Sequence, residues 1–113
     1  MAAAPTLDRN TVYWIEDPAG VHLPLIAGDV EYRADARELC FYDTQRPHAL
    51  PARFVSGDER RGLTFEGPER KMVLRRLDRA SFDRVFRPAI PDAPRFTSDD
   101  ELQAFYRDLI RQM

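Results

Sequence analysis

One lysine, one cysteine, one tryptophan and two histidines are all that this chain of 113 residues contains of those types, and each scarcity removes a class of chemistry. A single cysteine, Cys40, excludes an intrachain disulfide and any cysteine-based metal cluster. It falls between Leu39 and Phe41, where a free thiol behaves as a small core hydrophobe. The histidines, His22 and His48, occur without an H-x-H, an H-x-x-x-H or a nearby carboxylate cluster, so no metal-ligand spacing is present. Only Ser56, Ser81 and Ser98 supply serine hydroxyls. They read as a turn residue, a first-helical-turn residue and an N-cap, none of them in a nucleophile motif. The five glycines stand singly at turns, which excludes a glycine-rich phosphate loop.

Long apolar runs are missing as well. Nothing approaches the roughly 18 consecutive apolar residues of a membrane span, and the opening Met-Ala-Ala-Ala-Pro-Thr-Leu-Asp-Arg has neither a basic n-region nor an apolar h-region. A cytoplasmic protein with no membrane partner is the expectation. The hydrophobic fraction of 43% and charged fraction of 32% are those of a folded globular chain rather than a disordered one.

Against the single lysine, Lys71, stand sixteen arginines. GC-rich coding is one source of such a bias. A need for planar, bidentate donors at carboxylates or phosphates is another. The net charge of −2 also hides a segregation. Residues 1–45 carry eight acids and three arginines, residues 46–95 seven acids and twelve bases, and residues 96–113 four acids and two arginines. The middle segment is therefore basic between acidic flanks, the one electrostatic feature that could mark a partner.

Along the chain, residues 1–10 are small and polar without periodicity and read as a flexible tail, leaving 11–113 as a single domain. Strands are expected at Thr11–Glu16, with apolar residues on both faces, and at Val21–Ile26, where Pro24 demands an edge or a bulge. Further strands follow at Val30–Arg33, at Glu38–Tyr42, through Leu50, Ala52 and Phe54, at Leu63–Phe65 and at Lys71–Arg75, with turn signals between them. Asp43–His48 reads as a loop and Ser56–Gly62 as a hairpin connection. Six to seven short strands so spaced predict an antiparallel meander or curled sheet.

Arg70–Arg87 is where the period changes. Met72 and Leu74 alternate as one face of a strand, whereas Phe82, Val85 and Phe86 fall at i, i+3 and i+4 of a helix. Asp78 sits at the N-cap position and Pro88 stops the helix after about two turns. Arg79 and Asp83 are spaced as an i, i+4 ion pair. Three prolines at a spacing of three then predict a semi-rigid polyproline spacer over 88–95. Ser98 and Glu101 form a capping box for a helix over 98–113 with the stripe Leu102, Phe105, Tyr106, Leu109, Ile110 and Met113. That stripe could pack on its own sheet or on a second copy, making a homodimer through this helix an alternative.

The fold class is thus α+β, an antiparallel sheet followed by one short and one longer helix. The candidate partner-binding residues are Arg60, Arg61, Lys71, Arg75, Arg84 and Arg87. No catalytic residue, cofactor or metal is assigned. The expected function is a small non-enzymatic protein-interaction domain of the inhibitor, immunity or adaptor kind found in bacteria, steering a protein partner by charge. One alternative is a nucleic-acid-binding module using the arginine-rich joint; the net negative charge and the scarcity of exposed aromatics weigh against it. The other is a small enzyme using His48 or a carboxylate in the mouth of the sheet. Turn solvation accounts for the carboxylate pairs Glu16-Asp17 and Asp58-Glu59 without one.

Overall fold

The computed structural model describes residues 4–21, 23–42 and 47–112. Residues 1–3, His22, residues 43–46 and Met113 lie outside them, and with them part of the expected tail, most of the expected Asp43–His48 loop and the last residue of the expected helical stripe. Eight strands run β1 (Tyr13–Glu16), β2 (Leu25–Ala27), β3 (Val30–Arg33), β4 (Glu38–Phe41), β5 (His48–Pro51), β6 (Arg53–Asp58), β7 (Gly62–Glu66) and β8 (Lys71–Arg76). A single helical turn, α1 (Arg79–Ser81), continues as a π-helical turn over Phe82–Phe86, and α2 (Asp99–Arg111) closes the chain. The α+β class, the antiparallel pairing and the order of helices are those read from the sequence.

The strands divide between two sheets, ordered β2-β1-β8-β7-β6 and β3-β4-β5. Among the described residues there are eight because the run through Leu50, Ala52 and Phe54 is bent rather than continuous. Ala52 is buried and donates its N–H to Arg37 O (2.8 Å), so the chain leaves one sheet and enters the other within one residue. Gly28 and Asp29 make the second such corner, with Asp29 in the left-handed region at φ 51°. The hairpin β6–β7 closes on Gly57 at φ 108°, where a β-carbon would sit 2.0 Å from Gly62 O, so no other residue fits.

The five-stranded sheet is the middle of three layers, and β1 shows why. Tyr13 joins the cluster with Leu63, Phe65, Met72 and Leu74, which packs against Val30, Leu39 and Phe41 of the three-stranded sheet. Val12 and Trp14 point the other way, into a cluster with Leu77, Phe82, Phe96, Leu102 and Tyr106 under the helices. Apolar residues on both faces of β1 thus mark a strand covered on both sides. Cys40 is a buried free thiol.

The N-terminal tail is docked earlier than composition indicates. Leu7 is buried in the sheet–sheet core, and Arg9 pairs with Asp29 at 2.6 Å while lying 4.4 Å over the Tyr42 ring. An isolated leucine in a polar run carries no periodicity, so local pattern could not reveal this anchor.

Residues 88–95 are also not extended polyproline. They fold into successive turns, with Ala89 N–H donating to Phe86 O and Ala93 N–H to Ile90 O. The chain reverses, and α2 lies across its own sheet. Its buried face is Leu102, Gln103 and Tyr106, so Phe105 and Leu109 of the expected stripe stay 37% and 43% exposed. Gln103 decides that rotation. Its Oε1 accepts from Val12 N–H (2.7 Å) and its Nε2 donates to Val12 O (2.9 Å) and Leu77 O (2.7 Å). One buried amide therefore satisfies three main-chain groups at the end of the sheet.

Candidate functional site

β8 ends at Arg76, and Leu77 is fully buried with its N–H on Val12 O (3.0 Å). Asp78 then caps α1, its Oδ1 accepting from Ser81 N–H at 2.8 Å. The following turn widens to π geometry, Arg87 N–H reaching Phe82 O at 2.9 Å. Such turns are rare and are frequent at functional sites. This one stacks Phe82 on Phe86 and sets the Phe86 ring edge-on to Trp14 at 5.9 Å. Its two flanks carry arginines in opposite circumstances.

On one flank Arg87 is consumed by the fold. Nε donates to Asp83 (2.8 Å), Nη1 to Ala93 O (2.8 Å) and Nη2 to Pro94 O (2.9 Å), with the guanidinium 5.1 Å over the Phe82 ring. This clasp folds the proline-rich segment back onto the π turn. Arg79 does not pair with Asp83, because Arg87 holds that carboxylate. Arg79 instead turns to the start of α2, donating its N–H to Asp99 (2.9 Å) and Nη1 to Thr97 O (3.0 Å).

On the other flank Arg75 and Arg84 form a ridge between two clefts. Arg75 is fixed along β8, its Nε on Glu16 at 2.9 Å and its Nη1 on Arg61 O at 2.7 Å. Gly62, at φ 101°, leaves it room: a β-carbon there would lie 2.9 Å from Arg75 Nη1.

The first cleft, of about 380 Å³, brings Arg60, Arg76 and Ser81 to the ridge together with Glu59, Asp78 and Asp99. Its acids already accept: Glu59 from the Tyr13 hydroxyl (3.3 Å), Asp78 from Ser81 N–H and Asp99 from Arg79 N–H. Burial, and then the charge of Glu59, push the Tyr13 phenol up to about 12, so it stays protonated and keeps donating. Arg60, Arg76 and Arg84 are exposed and have no hydrogen-bond or ion-pair partner among the described residues. The second cleft, of about 580 Å³, lies between the β1–β2 connection and the π turn. Trp14, Leu23, Pro24 and Val85 give it apolar walls, while Glu16 and Asp17 line it beside the ridge.

No family model, curated protein or solved structure matches this chain. Geometry and electrostatics therefore carry the functional argument.

The residues singled out from sequence are distributed unevenly over this site. Arg60, Arg75 and Arg84 share the first cleft. Arg61 meets it through its carbonyl, with its side chain at the exposed hairpin tip. Lys71 stands at the far end of β8 opposite Glu66, four residues and roughly 13 Å of strand from Arg75. Arg87 is the clasp of the opposite flank. Arg76 was not legible: alternation gives it the face of Met72 and Leu74, but at the strand's last residue the core beneath that face has ended. The charge segregation is likewise mixed by folding, since β1 pairs with β8 and sets Glu16 against Arg75.

His48 is a strand residue rather than a loop residue. It lies exposed on β5, stacked on Phe41 at 5.2 Å, and lines neither cleft. Among the described residues no group of three or more His, Cys, Asp or Glu could hold a metal ion, and no helix is long and apolar enough to cross a membrane.

Proposed function

We propose that this protein is a non-enzymatic interaction domain that binds an acidic surface of a protein partner on the Arg75–Arg84 ridge. One observation carries the reading: Arg60, Arg76 and Arg84 converge on one cleft without partners, while the acids among them are each engaged by donors of the fold. Guanidinium groups so placed offer planar, bidentate donors to carboxylates and steer association by charge. The exposed Leu23 on the second cleft, with Trp14, Pro24 and Val85 behind it, supplies apolar contact area, which charge alone lacks. Nucleic acid fits less well, because no exposed aromatic lines the cleft for bases to stack on.

The test is affinity capture from extract of the source organism with the wild-type chain and an Arg60→Glu/Arg76→Glu variant as paired baits. Both positions are exposed, so the variant keeps its fold, which circular dichroism checks. The expected result is a stoichiometric protein partner held by wild type and lost from the variant. The same partner on both baits, or none on wild type, overturns the proposal.

A further inference from the structure

We infer that the cleft between the β1–β2 connection and the π turn is a peptide-binding site, taking an apolar side chain that has a carboxylate immediately beside it. The inference deepens the interaction reading above and rests on it. Four observations on one surface carry it.

The lip is apolar: Leu23, which lines the cleft, is 86% exposed. A large apolar side chain held open beside an apolar cleft marks contact surface. The walls behind it are Trp14, Pro24 and Val85, and the space of about 580 Å³ accommodates a branched aliphatic side chain with its flanking backbone.

The charged groups at the mouth balance, two carboxylates against two guanidiniums, and differ in their partners. Glu16 is paired with Arg75, and Asp17 is spent on its own turn, accepting from Ala19 and Val21 N–H at 2.9 and 3.1 Å. Arg84 has no partner among the described residues. A carboxylate arriving beside the apolar side chain meets that guanidinium.

The third observation lies in the wall itself. Trp14 is 1% exposed, and its indole Nε1 is buried without an acceptor among the described residues. A buried donor left unpaired carries a free-energy cost that an entering carbonyl or carboxylate relieves.

The fourth concerns mode. β2 is the edge of its sheet and invites strand addition, but it is three residues long and is preceded by Pro24, which has no N–H to give. Recognition through side chains in the cleft is therefore favoured over extension of the sheet.

Trp14 is the only tryptophan of the chain, so its emission and its indole N–H resonance report the wall of this cleft and the core directly behind it. The experiment selects a phage-displayed library of random heptapeptides against the wild-type protein, then titrates the enriched peptides while following Trp14. Enriched sequences are expected to carry Leu, Ile, Val, Met or Phe next to Asp or Glu and to shift the Trp14 indole resonance saturably. Arg84→Ala is expected to weaken them about tenfold, and Leu23→Ser to weaken them comparably. Both positions are exposed, and unchanged thermal midpoints confirm that the variants are folded. Enrichment of basic or uncharged sequences, peptides that bind without moving Trp14, or affinity unaltered by Arg84→Ala overturns the inference. Such a failure leaves the Arg60/Arg76 capture result standing, so failure of the peptide site is distinguishable from failure of the ridge reading.

Discussion

Arg84 and Arg87 lie three residues apart on the same π turn, yet one is structure and the other is surface. Arg87 sits over an aromatic ring with its fork filled by one carboxylate and two carbonyls. Arg84 stands between two clefts with nothing paired to it among the described residues. Residue type and local spacing are the same. What differs is the neighbour each flank meets: the returning proline-rich segment offers bare carbonyls on one side, and the sheet end offers acids already in use on the other. An arginine becomes part of the fold where unpaired acceptors surround it, and remains available where they do not.

That contrast can be broken or sharpened in four ways. The largest effect is expected from Phe82→Ala, which removes the fully buried ring beneath Arg87 and its contacts with Phe86, Phe96 and Tyr106. Denaturant unfolding should show a loss of about 3–5 kcal/mol. If the loss is under about 1 kcal/mol, the clasped flank is not the packed one.

Arg87→Ala comes next, at about 1.5–3 kcal/mol for charge-assisted bonds to acceptors that are then left bare. Arg87→Lys should recover little of it, because a point-charge ammonium cannot serve three directions. Equal stability of the lysine variant and wild type would show that charge alone holds the segment.

The third concerns pH and the open flank. The folded-state Tyr13 phenol is raised from its usual 10 to about 12. Its contribution is therefore whole below pH 10 and is lost as pH rises through about 12, amounting to roughly 2–3 kcal/mol. Tyr13→Phe should flatten the fall in stability over that window, and a parallel fall in both proteins would remove Tyr13 as its source.

The smallest effect belongs to Arg84→Ala, where unfolding should change by no more than about 0.5 kcal/mol. A larger destabilisation would mean that Arg84 holds the fold as Arg87 does, and the two flanks would cease to differ.

Much of the architecture was legible because it follows from period. The alternation of Met72 and Leu74 placed them on a buried strand face, and Phe82, Val85 and Phe86 marked the helical packing face, with Phe82 fully buried and the other two partly so. The caps at Asp78 and Ser98 were legible because Asp and Ser accept from main-chain N–H two or three residues on. The exceptions have one cause. Leu7, Ala52 and Gln103 each meet a partner distant in the chain, which local pattern does not contain. Gln103 is separated by 91 residues from the strand it anchors, and its polarity gave it the wrong face of a hydrophobic stripe.

The candidate site divides in the same way. Sequence placed Arg75 and Arg84 near the strand–helix joint and recognised that region as basic. It could not tell that Arg87 would be consumed, that Lys71 would stand a strand's length away, or that Arg76 would emerge where the core ends. By itself the sequence determined the α+β class, the antiparallel pairing, the core faces and the helix caps, since these depend on residues a few positions apart. Only the tertiary structure decided which arginines are free, because a charge is spent or available according to acceptors that long-range folding brings beside it.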